Sequence, residues 1–318
     1  MAALFMTATS SCKKDNNDED PIIPTPTPTP STPTVNNGVF NPSQKISKYY
    51  YWDEYDEEKV LQEIWNWEGK QLSSIDYVNW DGTVYETEYF TYENNRLSRV
   101  DYNRTYLEFK YANGKLNKLF RYYDYELEGE CTFSYDSNNK ISEINIVYYE
   151  GKKSEKGMLN PLGLFLPEQV VKRLERRNTT RNVKDDGVET VSVKLTWDGD
   201  NVSKIVAEGE YSEEGFSESF SEDYTFYYDN KNNPKYGFMN QYSPDIEGFS
   251  KNNFTRYICA EREMEYENGV LVDDDTYTYE YHFTYQYDES NYPIEITRNR
   301  SSSGGDTSTD KYFYEYLH

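Results

Sequence analysis

A short pattern that recurs along most of the chain constrains the fold more than any other feature of the sequence. Each copy begins with an apolar residue, and an aromatic residue follows two positions later. Four or five turn-forming residues come next. A second apolar residue follows the turn, and a third apolar residue lies three positions further on. The copies are Trp65-x-Trp67…Leu72…Ile75, Phe90-x-Tyr92…Leu97…Val100, Phe109-x-Tyr111…Leu116…Leu119, Phe133-x-Tyr135…Ile141…Ile144, Leu195-x-Trp197…Val202…Ile205, Phe226-x-Tyr228…Pro234 and Tyr285-x-Tyr287…Pro293…Ile296. The connections are rich in Asn and Gly, which tolerate the positive φ of tight turns, so each copy predicts a strand, a hairpin turn and the next strand.

The alternation of side chains supports the same interpretation. Between Thr276 and Tyr287, Tyr and Phe occupy one face, while Thr, Glu, His and Gln occupy the other. Consecutive hairpins without a long crossover predict an all-β fold, an antiparallel up-and-down meander that forms a strongly curved sheet or barrel to protect its edges. Because the non-aromatic face is polar, a lipid-facing barrel is disfavoured.

One segment departs from the hairpin pattern. Pro167 and Glu168 suit the first turn of a helix and basic residues suit its last turn, so we predict one short capping helix near 167–177 that covers an open end of the β-structure. The alternative is a docking patch in an otherwise acidic protein. That patch consists of Lys172, Arg173, Arg176, Arg177 and Arg181.

The amino terminus resembles a bacterial lipoprotein signal. An apolar run at residues 2–8 is followed by small residues and Cys12, which would receive the lipid after cleavage. The lysine-then-acidic run after Cys12 resembles the signal that sends lipoproteins of Bacteroidetes-type bacteria to the outer face of the outer membrane. Alternating Pro and Thr then predict an extended stalk. We therefore divide the chain into a signal at 1–12, a tether at 13–39 and a single β-domain of hairpin repeats at 40–318.

Composition excludes several classes of function. The chain has 318 residues and a formal net charge of -24, so nucleic acid and anionic membrane surfaces are poor partners. We find no nucleophile, phosphate-binding or metal-binding motif, and we predict no enzyme activity, no cofactor and no metal site. Asp198, Asp200 and the acidic run at 273–275 are explained by turn chemistry. Cys131 and Cys259 are interpreted as buried small hydrophobes, with a disulfide between them as the alternative.

Exposed aromatic rings are the candidate binding residues. Adjacent rings in residues 49–52 must point to opposite faces, which makes Trp52 a candidate, and Trp80 lies at a predicted turn tip. Exposed rings stack on sugars, although Trp80 folded back onto its own hairpin is an equally good interpretation.

The hairpin corner resembles the YD hairpins of Rhs-type proteins. Together with the lipoprotein start and the Pro-Thr stalk, it resembles an uncharacterised family of Bacteroides lipoproteins described as having a porin-like fold. The resemblance covers about residues 45–318 and implies a fold, but no function and no catalytic residue.

Three hypotheses for the function remain. The leading one is a non-catalytic cell-surface lipoprotein, held in the outer membrane by its lipid alone, whose Tyr-rich sheet binds a glycan or a partner protein. The first alternative is a structural subunit of an outer-membrane complex, which implies an outer-membrane protein partner. The second alternative is a glycoside-active enzyme.

Overall fold

The computed structural model describes residues 37–149, 188–213, 216–239 and 246–317, and these residues form sixteen strands. Each strand pairs antiparallel with its neighbours in sequence, and β16 pairs with β1, which closes the sheet into a barrel. The predicted all-β meander is therefore confirmed, and of the two forms it allowed, the barrel is the one observed. The strands are β1 (Ile46–Asp53), β2 (Glu58–Glu68), β3 (Gln71–Val78), β4 (Val84–Glu93), β5 (Arg96–Tyr102), β6 (Thr105–Ala112), β7 (Lys115–Tyr123), β8 (Glu126–Tyr135), β9 (Ile141–Tyr149), β10 (Val188–Asp198), β11 (Asn201–Glu213), β12 (Phe216–Tyr228), β13 (Phe254–Glu267), β14 (Val270–Tyr287), β15 (Pro293–Ser302) and β16 (Thr307–Tyr316).

A β-bulge explains the three-residue spacing in the repeated pattern. Side chains three positions apart on a regular strand point to opposite faces, yet Leu72 and Ile75 are both fully buried. The register of β2 and β3 shifts between Asn66 and Trp67, because Ser73 is an extra residue on β3. This β-bulge returns Ile75 to the inner face. The Ser73 hydroxyl donates to the Asn66 carbonyl at 2.9 Å beside the bulge.

An aromatic ring near the end of each even-numbered strand hydrogen-bonds to the backbone of the preceding odd-numbered strand. Seven of these rings donate a hydrogen bond to a backbone carbonyl near the start of an earlier odd-numbered strand, and the eighth, Tyr92, hydrogen-bonds to the Leu72 backbone. Burial raises the pKa of the Tyr111 and Tyr135 hydroxyls, which keeps them protonated as donors. The seven donor and acceptor pairs are Trp67 and Ile46 (2.7 Å), Tyr111 and Leu97 (2.7 Å), Tyr135 and Leu116 (2.5 Å), Trp197 and Ile141 (2.7 Å), Tyr228 and Val202 (2.7 Å), Tyr285 and Phe254 (2.6 Å), and Tyr316 and Pro293 (2.7 Å).

We call the end of the barrel that carries these bonds the corner end, and the opposite end the rim. In the β14 copy the hydrogen bond comes from Tyr285, whereas the sequence pattern places the aromatic anchor at Tyr287. The Tyr287 hydroxyl instead bonds to Asp229.

The inner face of the barrel is apolar near the corner end, and a connecting segment covers that end. The segment between β12 and β13 is described at 229–239 and 246–253 and contains the 3-10 helix Ile246–Phe249. The buried Phe238 ring lies 4.7 Å from the Trp65 ring and 5.1 Å from the Phe40 ring. The helix predicted near 167–177 lies outside the described residues.

The two cysteines of the described barrel are free and buried, as the small-hydrophobe interpretation predicts. Cys131 is fully buried and Cys259 is 2% exposed. Burial raises the pKa of both thiols, which suppresses the reactive thiolate.

We expect neither thiol to react with a maleimide in the native protein, and both to react after denaturation. The measurement is mass spectrometry of a Cys12→Ser variant before and after addition of urea. Rapid labelling of native Cys131 or Cys259 would contradict the burial of these two thiols.

Candidate functional site

Charged side chains cover the outer face of the barrel wall. Several ion pairs join a basic residue to the diagonal carboxylate on the next strand, a geometry that brings long side chains on one face into contact. Such exposed pairs add little stability. The pairs are Lys118 with Glu130 (3.2 Å), Lys194 with Glu208 (3.1 Å), Lys204 with Asp223 (2.5 Å), Arg262 with Asp274 (2.8 Å), and Arg256 with Glu280.

A step in the wall at the rim forms an open groove. Strand β4 pairs with β3 from Val84 onward. Its pairing with β5 begins only at Glu88, which pairs with Tyr102 at the end of β5. Residues Val84–Thr87 therefore extend beyond the end of β5. The groove at this step has a volume of about 560 Å³. It is lined by Val84, Tyr85, Glu86, Thr87, Tyr89, Asp101 and Asn103.

The groove combines aromatic rings with hydrogen-bonding groups. Tyr85 is 58% exposed and Tyr89 is 57% exposed, values that are unusual for rings next to a core in which Phe90 is only 7% exposed. The Thr87 hydroxyl donates to Asp76 at 2.7 Å. These rings offer apolar faces, and the neighbouring oxygens offer acceptors.

The two carboxylates of the groove are held differently. Burial raises the pKa of Glu86, and a hydrogen bond from Asn103 opposes this effect. The Tyr102 hydroxyl also donates to Glu86. Asp101 accepts from the Arg99 Nε at 2.8 Å, and this bond raises the pKa of Arg99. Each carboxylate is therefore fixed in place by its neighbours.

The structure places the predicted candidate Trp80 on the surface of the rim. Trp80 is 89% exposed in the turn between β3 and β4, four residues before Val84 of the groove. The turn is ordered by backbone hydrogen bonds from Asn79 to Thr83 at 2.8 Å and from Gly82 to Asn79 at 2.9 Å. Of the two interpretations of Trp80, the exposed ring is the one observed.

The second predicted candidate, Trp52, lies elsewhere and is half-buried. Its ring is 6.2 Å from the Phe313 ring across the seam between β1 and β16, and the Lys311 ammonium lies 5.8 Å above it. In the part of the chain that the structure describes, neither Trp52 nor Trp80 lines the groove. The sequence analysis did not identify Tyr89. Its position directly before the inward-facing Phe90 was the signal that Tyr89 faces outward.

Three buried side chains bring potential metal ligands together inside the barrel. The ligand atoms of Glu222, Cys259 and Glu261 lie within 4.8 Å of one another. The Tyr224 hydroxyl donates to Glu222, and the Cys259 thiol donates to Glu261 at 3.7 Å. Such mutual hydrogen bonds are the usual way in which buried polar groups are satisfied. The acidic turns also have partners, since Asp200 pairs with Lys140 at 3.1 Å.

Comparisons with known proteins give structural likeness only. No family model and no curated protein matches the chain. Among solved structures, it is similar to a porin-like protein from Bacteroides vulgatus, with 10% identity, coverage of 86% of this chain and 99% of that chain, and a TM-score of 0.34. It is also similar to a porin-like protein from Bacteroides uniformis, with 9% identity, coverage of 86% and 98%, and a TM-score of 0.33. Identities and scores this low leave the function to be argued from the residues of this chain.

Among the residues that the structure describes, none of the helices has the length and hydrophobicity of a transmembrane span.

Proposed function

We propose that this protein is a non-catalytic, lipid-anchored surface protein that binds carbohydrate in the groove at the rim. The observation that carries the proposal is the pair of exposed rings, Tyr85 and Tyr89, which line an open groove beside Asp101 and Asn103. Sugars present an apolar C–H face and a rim of hydroxyls. Aromatic rings match the first feature, and carboxylate and amide oxygens match the second.

The end of the barrel at which the described chain begins supports a binding groove at the rim. The Gly38 carbonyl accepts from the Leu97 amide at 2.9 Å, and the Phe40 ring lies 5.7 Å from the Trp67 ring, so the described chain begins at the corner end. The groove lies at the other end of the barrel. The charged outer wall supports membrane contact through the lipid on Cys12 rather than through the strands.

Replacing either exposed ring of the groove should weaken carbohydrate binding. For Tyr89→Ala and Tyr85→Ala we expect a loss of about 1–3 kcal/mol of binding free energy, the order of magnitude for removal of an aromatic anchor. The measurement is affinity electrophoresis in gels that contain individual host or dietary polysaccharides. Tyr55→Ala is the matched control, because Tyr55 is 94% exposed on the turn between β1 and β2, outside the groove.

The same polysaccharides distinguish the alternatives. Retention without release of reducing ends supports the binding protein, whereas release of reducing ends supports the glycoside-active enzyme. If no polysaccharide is retained, the binding proposal fails and the structural subunit becomes the better hypothesis.

A further inference from the structure

The groove continues into a straight row of side chains across the outer face. Tyr89 of β4 pairs directly with Asp101 of β5, Asp101 pairs with Tyr106 of β6, and Tyr106 pairs with Tyr122 of β7. Tyr122 in turn pairs with Leu127 of β8. Because directly paired residues share a face, these five side chains form one row perpendicular to the strands, which we call the tyrosine row.

Rings in the tyrosine row are arranged as a surface rather than as a core. The Tyr106 and Tyr122 rings are stacked, with centroids 4.6 Å apart and planes inclined by 11°. The Arg99 guanidinium lies 3.8 Å from the Tyr106 ring centroid and bonds to Asp101, which connects the stacked pair to the groove. Leu127 at the far end of the row is 38% exposed.

A turn beside the row holds a further ring in an unfavourable backbone conformation. Tyr125 has a φ of 68°, in the left-handed region that bulky residues rarely adopt. Its side chain is 84% exposed, and its ring lies 6.2 Å from the Tyr106 ring. The Tyr125 ring therefore adds exposed aromatic surface beside the tyrosine row.

The charges along the row favour an uncharged ligand. Arg99 is paired with Asp101 at 2.5 Å, Lys110 with Glu108 at 3.0 Å, and Arg104 with Asp124. These cations are already neutralised by carboxylates, and the whole chain carries a net charge of -24. A polymer of uronic acids or sulfated sugars would be repelled, while a neutral polymer would meet ring faces separated by hydrogen-bond acceptors.

We propose that the tyrosine row extends the groove into a track for a linear, uncharged polysaccharide. Four strand spacings of about 4.8 Å separate Tyr89 from Leu127, which gives a track about 19 Å long. A chain bound in this way contacts several rings at once, so its affinity increases with its length until the track is filled. This inference rests on the proposed carbohydrate-binding function and specifies its ligand class.

The test is isothermal titration calorimetry with defined neutral oligosaccharides of glucan, mannan and xylan, from disaccharide to octasaccharide. If the oligosaccharides of one series bind, we expect their affinity for the native protein to increase with the length of the oligosaccharide. Tyr122→Ala should reduce affinity about tenfold for the longest members and leave the shortest unchanged, whereas Tyr89→Ala should weaken binding at every length. Tyr122→Phe retains the ring and should retain the affinity.

Tyr227→Ala is the matched control, because Tyr227 is also an outward-facing tyrosine, 43% exposed, and it lies on β12 outside the tyrosine row. Equal affinities of Tyr122→Ala and the native protein at every length would refute the track while leaving the groove proposal intact. Tighter binding of polygalacturonate than of any neutral glycan would refute the uncharged ligand. Absence of binding to all these glycans would refute both the track and the groove.

Discussion

Leu116→Ala is expected to lower the free energy of unfolding by about 2–5 kcal/mol, the range for a buried leucine whose removal leaves a cavity. Leu116 is fully buried on the inner face, at the second apolar position of its corner. Its carbonyl accepts the Tyr135 hydroxyl, a backbone contact that the substitution retains. The expected loss therefore comes from packing. It is measured by urea denaturation monitored through tryptophan fluorescence.

Leu271→Ala provides the control for the leucine substitution. Leu271 is 47% exposed near the start of β14, so we expect its replacement to change the free energy of unfolding by less than about 0.5 kcal/mol. Equal effects of the two substitutions would be incompatible with an inner face packed as a core.

Cys12→Ala is expected to move the protein from the membrane fraction to the soluble fraction. The substitution removes the sulfur that is proposed to carry the lipid, and buried acyl chains contribute about 0.8 kcal/mol per methylene to membrane attachment. Ion pairs such as Lys118 with Glu130 add charge to the outer wall of the described strands, so we expect the wall to contribute less to membrane attachment than the lipid does. Fractionation of cells that express each variant measures the change.

Cys131→Ala is the control for the anchor, because it removes a buried thiol and leaves Cys12 in place. It should remain in the membrane fraction. Persistent membrane association of Cys12→Ala would show that the chain is held by something other than this lipid.

Local spacing was sufficient to predict the hairpins and their inward faces. The pairs Leu72 with Ile75 and Leu97 with Val100 recur at the same spacing because each corner contains the same bulge, so a sequence repeat reports a repeated geometry. Spacing did not identify the hydrogen-bonding ring on β14. Tyr285 and Tyr287 lie on the same face, and only the position of the Phe254 carbonyl on the neighbouring strand distinguishes them.

The candidate site was predicted less completely than the fold, because it depends on contacts between strands. The environment of Trp52 is created by Phe313, which is adjacent only because β16 pairs with β1. The groove depends on β4 extending past the end of β5 at the rim. The tyrosine row depends on the register of four successive hairpins. Exposure of Trp80 was one of two equally supported interpretations, since a turn tip leaves a ring free to pack in either direction.

The seam between β1 and β16 has a kinetic consequence for the barrel. All other pairs among the sixteen described strands join consecutive strands, whereas the Tyr50 hydroxyl donates across the seam to Glu315, 265 residues away. Contacts this distant carry the largest loop-closure entropy and form slowly, so hairpins are expected to assemble before the seam closes. Until then β1 and β16 are unprotected edges that a second molecule can pair with. Closing the seam completes the fold and ends the interval in which the chain is most prone to intermolecular exchange.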